Sequence, residues 1–397
     1  MSRIKIWLFI LAASLLLPGC GLVSSPSSPV DLELTARRDP TPSLLVETSV
    51  RIELPQPAVE ITQTAPLQAE IPPTEANLPP TLPATPSLRQ LTQGGCCVNP
   101  FWSADSKRVL FIDRPSPQSP TGIWGVGLEG GDPVFISDRL GLFSEDQTLR
   151  AFPLSGQTIV ERLSDGQQWV MPSEGRAVVF SRDSSKLAWT LGGSPQPFDS
   201  AQRQLWISNI DGSAAQLILS SLNAGVSGWF PDGRLLVSGR LDPQELGQAL
   251  WSLEPPPTGE GQWTPRELVR AERVRNPILS PDGIWLAYAA AFSSDPAQNG
   301  LWLLDTRSME RVKLDVFGAY RWRDANRLLV IPLDLEQTFH ELLQVEPSSG
   351  AVVSLITPET LPFKIANGDW SVSPDGQHIV FVSAQDGNLW LISFNQN

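Results

Sequence analysis

The sequence predicts an all-β protein built from seven copies of one four-stranded antiparallel unit. Three observations carry this expectation. A turn motif centred on Asp recurs at spacings of 41, 37, 49, 50, 42 and 51 residues. Each turn is followed by an apolar run of strand length, bounded by further turn residues. A tryptophan returns at one place in the third run of five copies.

Before the first copy the chain reads differently. Arg3 and Lys5 precede an apolar run of 12 residues, Ile6 to Leu17. That is too short to span a bilayer and right for the core of an export signal. It ends in Leu17-Pro18-Gly19-Cys20, which resembles the bacterial lipobox, although Pro18 departs from the usual pattern. The resemblance implies a signal peptide over residues 1–19 and lipidation of Cys20. A plain secretory signal with an incidental Cys20 is the alternative. Residues 20–87 read as a Pro/Thr-rich stalk, largely disordered: between Gly21 and Ser87 stand 13 prolines and no aromatic residue. Such a stretch lacks the apolar surface to offset the entropy of ordering its backbone. Pro-rich chain extends by roughly 3.1 Å per residue, giving a reach on the order of 200 Å. Val46–Leu54 partly alternates and is the one sub-stretch with strand character.

The seven turns over residues 88–397 are centred on Asp105, Asp146, Asp183, Asp232, Asp282, Asp324 and Asp375. In Ser280-Pro281-Asp282-Gly283, Pro presets φ, Asp bonds nearby backbone and Gly accepts positive φ. Second strands are expected at Arg108–Ile112, Leu149–Leu154, Lys186–Thr190, Leu235–Ser238, Trp285–Ala289, Leu328–Pro332 and Ile379–Ser383. Third strands carry Trp124, Trp206, Trp251, Trp302 and Trp390, read as packing between blades. The sixth copy is irregular, with Asp324 one place early and Asn326 in the Gly position. Four antiparallel strands every 40 to 50 residues is the pattern of a β-propeller blade. The last copy lacks a fourth strand, and residues 88–92 are expected to supply it, closing a seven-bladed ring without open edges.

Ser-Pro-Asp-Gly, an apolar strand, then Leu-Trp-Leu-Leu-Asp resembles the TolB-type propeller repeat, related to WD-type repeats. The resemblance covers residues 88–397 and implies a propeller, with six blades as the alternative count. It says little of function, because such blades serve scaffolds, sensors and enzymes alike.

No catalytic set or metal set is read from the sequence, and no cofactor is expected. Gly125-Val126-Gly127-Leu128-Glu129-Gly130 has dinucleotide-binding spacing but falls across a third strand and its turn, where no helix follows to meet a phosphate. No Gly-x-Ser-x-Gly elbow is present. His340 and His378 belong to different copies. The repeated aspartates fit hairpin-fixing turns better than an acid/base set. A net charge of −13 disfavours nucleic acid. Cys96-Cys97 reads as a vicinal disulfide stapling the crossover into the first blade, with a redox pair as the alternative. The long loops holding Arg114, Phe198, Arg240 and Phe292 lie on one face and are the candidate binding surface; solvated filler is the competing reading. The expectation is a monomeric, non-catalytic scaffold. It is lipid-anchored on the outer side of a bacterial membrane, facing periplasm or cell exterior, and binds an envelope protein or peptide. The alternative is an envelope enzyme or carbohydrate sensor working at the mouth of the central channel.

Overall fold

A computed structural model describes residues 86–192, 201–257 and 261–394. The signal peptide, Cys20, nearly all of the stalk and Phe198 lie outside the described residues. The first strand is β1 (Ser87–Gln90). A sheet of β2 (Val98–Trp102), β3 (Arg108–Asp113), β4 (Gly122–Gly127) and β5 (Val134–Ser137) follows, then one of β6 (Leu142–Phe143), β7 (Leu149–Leu154), β8 (Gln157–Arg162) and β9 (Gln168–Met171). Seven strands share the next sheet: β10 (Val179–Phe180), β11 (Lys186–Gly192), β12 (Gln202–Asn209), β13 (Gln216–Trp229), β14 (Leu235–Arg240), β15 (Gln248–Glu254) and β16 (Thr264–Ala271). Two four-stranded sheets come after it. One is β17 (Val274–Leu279), β18 (Trp285–Ala290), β19 (Gly300–Asp305) and β20 (Arg311–Leu314). The other is β21 (Gly318–Asp324), β22 (Arg327–Pro332), β23 (Leu342–Glu346) and β24 (Ala351–Ile356). The last sheet joins β25 (Ile365–Val372), β26 (His378–Ser383) and β27 (Leu389–Ser393) to β1.

This corrects the expectation of seven equal blades. The described residues form five four-stranded blades and one seven-stranded sheet, so six equal blades do not describe the molecule either. The cause is β13, a single strand of 14 residues. Ser220-Ser221-Leu222-Asn223-Ala224-Gly225 contains no proline and no tight-turn pair, so the backbone keeps pairing from one repeat into the next. Gln216–Leu222 pairs with β12 and Leu222–Trp229 with β14. Two register shifts, at Leu222/Gly225 and Val226/Gly228, bend the strand. The sheet curls so that its halves pack on each other: Ala188, Leu205 and Ile207 meet Val237, Ala249 and Trp251.

Elsewhere the core lies between successive sheets. Val109, Phe111 and Trp124 pack on Val380, Leu389 and Leu391, while Leu329 and Ile331 pack on Phe381 and Ile392. The residues 87–92 segment closes the structure, with Ser87 to Gln90 paired antiparallel to Ser393 to Trp390. The innermost strands of neighbouring sheets approach one another, β2 beside β25, β25 beside β21, and β17 beside β13. Two tryptophans tie them: the Nε1 groups of Trp102 and Trp322 donate to the carbonyls of Ser371 and Ile278, both at 3.2 Å, while Trp229 Nε1 donates to Val179 O at 3.1 Å within the seven-stranded sheet.

Candidate functional site

The turn aspartates are absorbed by the backbone. The Oδ1 atoms of Asp105, Asp146, Asp183, Asp232, Asp282 and Asp375 each accept the amide two residues on, at 3.0–3.2 Å. Of the repeated tryptophans, Trp251 is fully buried and Trp124 nearly so. Trp206, Trp302 and Trp390 pack at the edges of core clusters. Trp302 is flanked by Arg311 and Lys313, and Trp390 Nε1 donates to Asp386.

The long loops are occupied with themselves. Arg114 donates to Pro117 O at 2.6 Å, and Arg240 reaches Glu245 O at 3.4 Å. Phe292 stands 75% exposed with the Arg273 guanidinium 5.7 Å from its ring centre. Cys96 and Cys97 are bonded to each other between β1 and β2. The Cys96 amide donates to Gly387 O at 2.9 Å, which ties the crossover to the last sheet. His378 stacks on Trp102 and shares a hydrogen bond with Ser393; His340 meets the edge of Phe363. Burial lowers both imidazole pKa values. The buried pair Arg150–Glu161 links the neighbouring strands β7 and β8 of one sheet, and its carboxylate is saturated by Arg139, Arg150 and Gln168.

What the innermost strands bring together is a different set. Four innermost strands carry an asparagine in the left-handed region: Asn99 at φ 52°, Asn223 at 52°, Asn276 at 46° and Asn367 at 53°. Asparagine tolerates this conformation, and here it accompanies a β-bulge in each strand. Around the bulges lie Arg275, Arg321, Asp369 and Trp370. The Tyr320 hydroxyl, buried, donates to Asn276 O at 2.7 Å and fastens β21 to β17. Burial raises its pKa, so it stays a donor. The next residue, Arg321, extends the other way, its guanidinium 5.3 Å from the ring centre of Trp370 on β25. Arg321 is solvent-exposed, yet desolvation by its surroundings lowers its pKa. Among the described residues its one hydrogen bond is to Tyr320 O at 2.9 Å, and no carboxylate lies within 4.0 Å of it. Trp370 is 4% exposed and its Nε1 has no acceptor among the described residues. Burial raises the Asp369 carboxyl pKa, against a partly opposing bond from the Asn99 amide.

The sequence reading passed over this set. Arg321 sits in the irregular sixth copy, and Asp369 lies outside the turn motif. One signal was present: an asparagine recurring a few residues before the turns of four copies.

No family model matches the sequence, and no curated protein does. Solved structures do. An oligogalacturonate lyase in complex with manganese matches at 16% identity and a TM-score of 0.55, over 79% of this chain and 97% of its own. The oligogalacturonate lyase of Vibrio parahaemolyticus matches at 13% identity and a TM-score of 0.52, over 79% of this chain and 98% of its own. A TolB structure from Agrobacterium tumefaciens also matches, at 13% identity and a TM-score of 0.37, too low to argue from. At these identities the likeness is one of fold. Manganese does not fit what is present here: the described residues contain no group of three or more His, Cys, Asp or Glu side chains able to hold a metal. The likeness still corrects the expectation of a non-catalytic scaffold, which leaned on the lack of a catalytic motif. In both lyases the matching fold spans nearly the whole enzyme, with no appended catalytic domain. What this chain shares with them is the β-propeller architecture.

Proposed function

We propose that this chain is a carbohydrate-directed enzyme of the bacterial envelope, acting on an oligosaccharide in the central channel. One observation carries the reading. Asp369, its pKa raised by burial, and Arg321, a guanidinium without a carboxylate partner among the described residues, stand on adjacent innermost strands and do not neutralise each other. A raised carboxyl exchanges a proton at milder pH than an ordinary one, and a guanidinium stabilises negative charge as it develops. The two oligogalacturonate lyases of the same fold support an eliminating reaction. The base takes the proton from the carbon next to a sugar carboxylate. The C–H electrons form a ring double bond, and the glycosidic oxygen leaves with the bonding pair and is protonated. Cys20 is the anchoring residue in this reading.

The test uses the full chain as its Cys20→Ala form, which is expected to move from the membrane fraction to the soluble one. Incubation with uronate oligosaccharides should generate the ultraviolet absorbance of an unsaturated sugar end. Asp369→Asn should slow it about 100-fold or more at unchanged melting temperature. A chain that neither binds such oligosaccharides nor forms that product would sink the reading.

A further inference from the structure

We infer that Cys96 and Cys97 form a reversible thiol–disulfide site, reduced by an external dithiol, whose oxidation state sets the backbone of the crossover from β1 into β2. The inference goes beyond the carbohydrate reading and does not depend on it. It begins with what the bond cannot do. A disulfide stabilises a fold mainly by removing freedom from the unfolded chain, and the effect grows with the length of chain it closes. Cys96 and Cys97 are neighbours, so their bond closes almost no chain. Other groups hold the crossover. The Cys96 amide donates to Gly387 O at 2.9 Å, the Gly95 amide to Asn388 Oδ1 at 3.0 Å, and the Leu389 amide to Thr92 Oγ1 at 2.9 Å. As a staple the sulfur bond is redundant.

The two sulfurs have the unlike surroundings that an exchange reaction uses. Thr92 Oγ1 lies 3.1 Å from Cys96 Sγ. A bonded sulfur carries no proton, and the hydroxyl already accepts the Leu389 amide, so the Thr92 proton points at Cys96. Thr92 is 2% exposed, so water does not compete for that proton. A donor aimed at the sulfur holds the thiolate once the bond opens. Cys97 is buried in the apolar cluster of Trp102, Val109 and Leu389, which suits a neutral thiol. Cys96 is the more exposed of the two and the one within reach of an attacking thiolate. In the reaction, one thiolate of the dithiol attacks Cys96 Sγ. The Cys96–Cys97 bond breaks, and Cys97 leaves with the bonding pair and takes up a proton. The second thiol of the reductant loses its proton, attacks the reductant sulfur bound to Cys96 and expels Cys96 as a thiolate facing Thr92. Two electrons have passed to the protein, and the dithiol ends as a disulfide.

The backbone supplies the response. Cys97 stands at φ 108°, in the left-handed region that a residue with a side chain rarely adopts. While the sulfurs are joined, the small ring through the Cys96–Cys97 peptide restricts that backbone. Once they part, Cys97 is free to turn to negative φ. Gly94 and Gly95, at φ 84° and 75°, stand just before the pair and absorb the rotation. On the other side Val98 opens β2 and pairs with Ile112, and the Asn99 amide bonds the Asp369 carboxylate. A turn at Cys97 therefore works in two directions. It loosens residues 94–96 from Gly387 and Asn388, and it shifts the start of β2 beside the carboxyl assigned above as the base.

The experiment uses the full chain as its Cys20→Ala form, in which Cys96 and Cys97 are the only cysteines. The folded protein is equilibrated at neutral pH in graded ratios of reduced to oxidised dithiothreitol, quenched with acid, alkylated and weighed. Both thiols should appear together at one ratio. Thr92→Val removes the donor and should move that ratio about tenfold or more in favour of the disulfide, the range of a hydrogen bond to a charged group. Thr92→Ser should restore it. Hydrogen exchange on the same samples should show residues 94–99 losing protection on reduction, with the sheets built from β6 to β24 unchanged. A bond that yields to the dithiol only when the chain is unfolded overturns the inference. So does a ratio indifferent to Thr92→Val, or exchange that reduction leaves unaltered. The exchange measurement needs no variant at Thr92, so it decides the matter even where Thr92→Val fails to fold. Neither readout is turnover, so failure here leaves the carbohydrate reading standing, and failure of that reading leaves the redox result intact.

Discussion

Ser181 shows how one residue fixes a turn. Its hydroxyl donates to Asp183 Oδ1 at 2.6 Å and accepts the Lys186 amide at 2.9 Å, so the side chain closes both sides of the hairpin. Ser103, Ser144, Ser280 and Ser373 repeat the arrangement. The serine bond is the leading cause that holds the Asp183 carboxyl below its ordinary value of 3.8. A carboxyl depressed in the folded state binds fewer protons there than in the unfolded chain. Its contribution is therefore complete above the ordinary value and fades as pH falls through the folded one. Ser181→Ala should cost about 1 kcal/mol at neutral pH, because the part-buried Lys186 amide loses its acceptor. The gap from the parent protein should narrow below the carboxylate range. Urea titrations at several pH values measure both, and a gap independent of pH would mean that Asp183 takes no part.

At the scale of elements, local chemistry was legible and its absence was not. The second strands start where turn residues end, as β3, β11 and β26 do. The third-strand tryptophans also mark something real: register shifts fall at Ile123/Trp124, Leu205/Trp206 and Leu250/Trp251 in the pairing with the next strand. The seven-stranded sheet was not legible, because nothing in Ser220–Gly225 announces that pairing continues; the outcome depends on β12 and β14 both being in reach. A second non-local constraint sits at Gly318, the first residue of β21. A Cβ built there would lie 1.9 Å from Ile331 O. Gly318→Ala must push β21 off β22, and overpacking of this kind costs about 1–3 kcal/mol. The strand also carries Arg321, so the same variant should weaken ligand binding. Gly127→Ala, with nothing within 4 Å of its Cβ, is the matched control. Equal stability of the two variants would show that the strand pair yields freely.

The candidate site was illegible for a reason that belongs to the whole molecule. Arg321 and Asp369 are separated by almost one full repeat, and only the order of sheets around the channel puts their strands side by side. That order depends on closure, and closure depends on the short stretch after β1. Leu91 is 2% exposed and packs with Trp102, Val109, Phe111, Val380 and Leu391, residues from the first and last sheets. Its amide donates to Leu389 O at 2.8 Å and its carbonyl accepts the Gly131 amide at 3.2 Å. Thr92 follows, its hydroxyl accepting the Leu389 amide at 2.9 Å. One residue thus touches both ends of the circle through side chain and backbone. Leu91→Ala removes only the side chain, which should cost about 2–5 kcal/mol as a core truncation. Leu246→Ala, at a residue 88% exposed, should stay within about 0.5 kcal/mol of the parent. If closure couples the sheets, tryptophan fluorescence and far-ultraviolet dichroism should report one transition at a shared, lowered midpoint in Leu91→Ala. An early loss confined to one probe would mean instead that the first and last sheets unfold on their own, and that the channel survives an open ring.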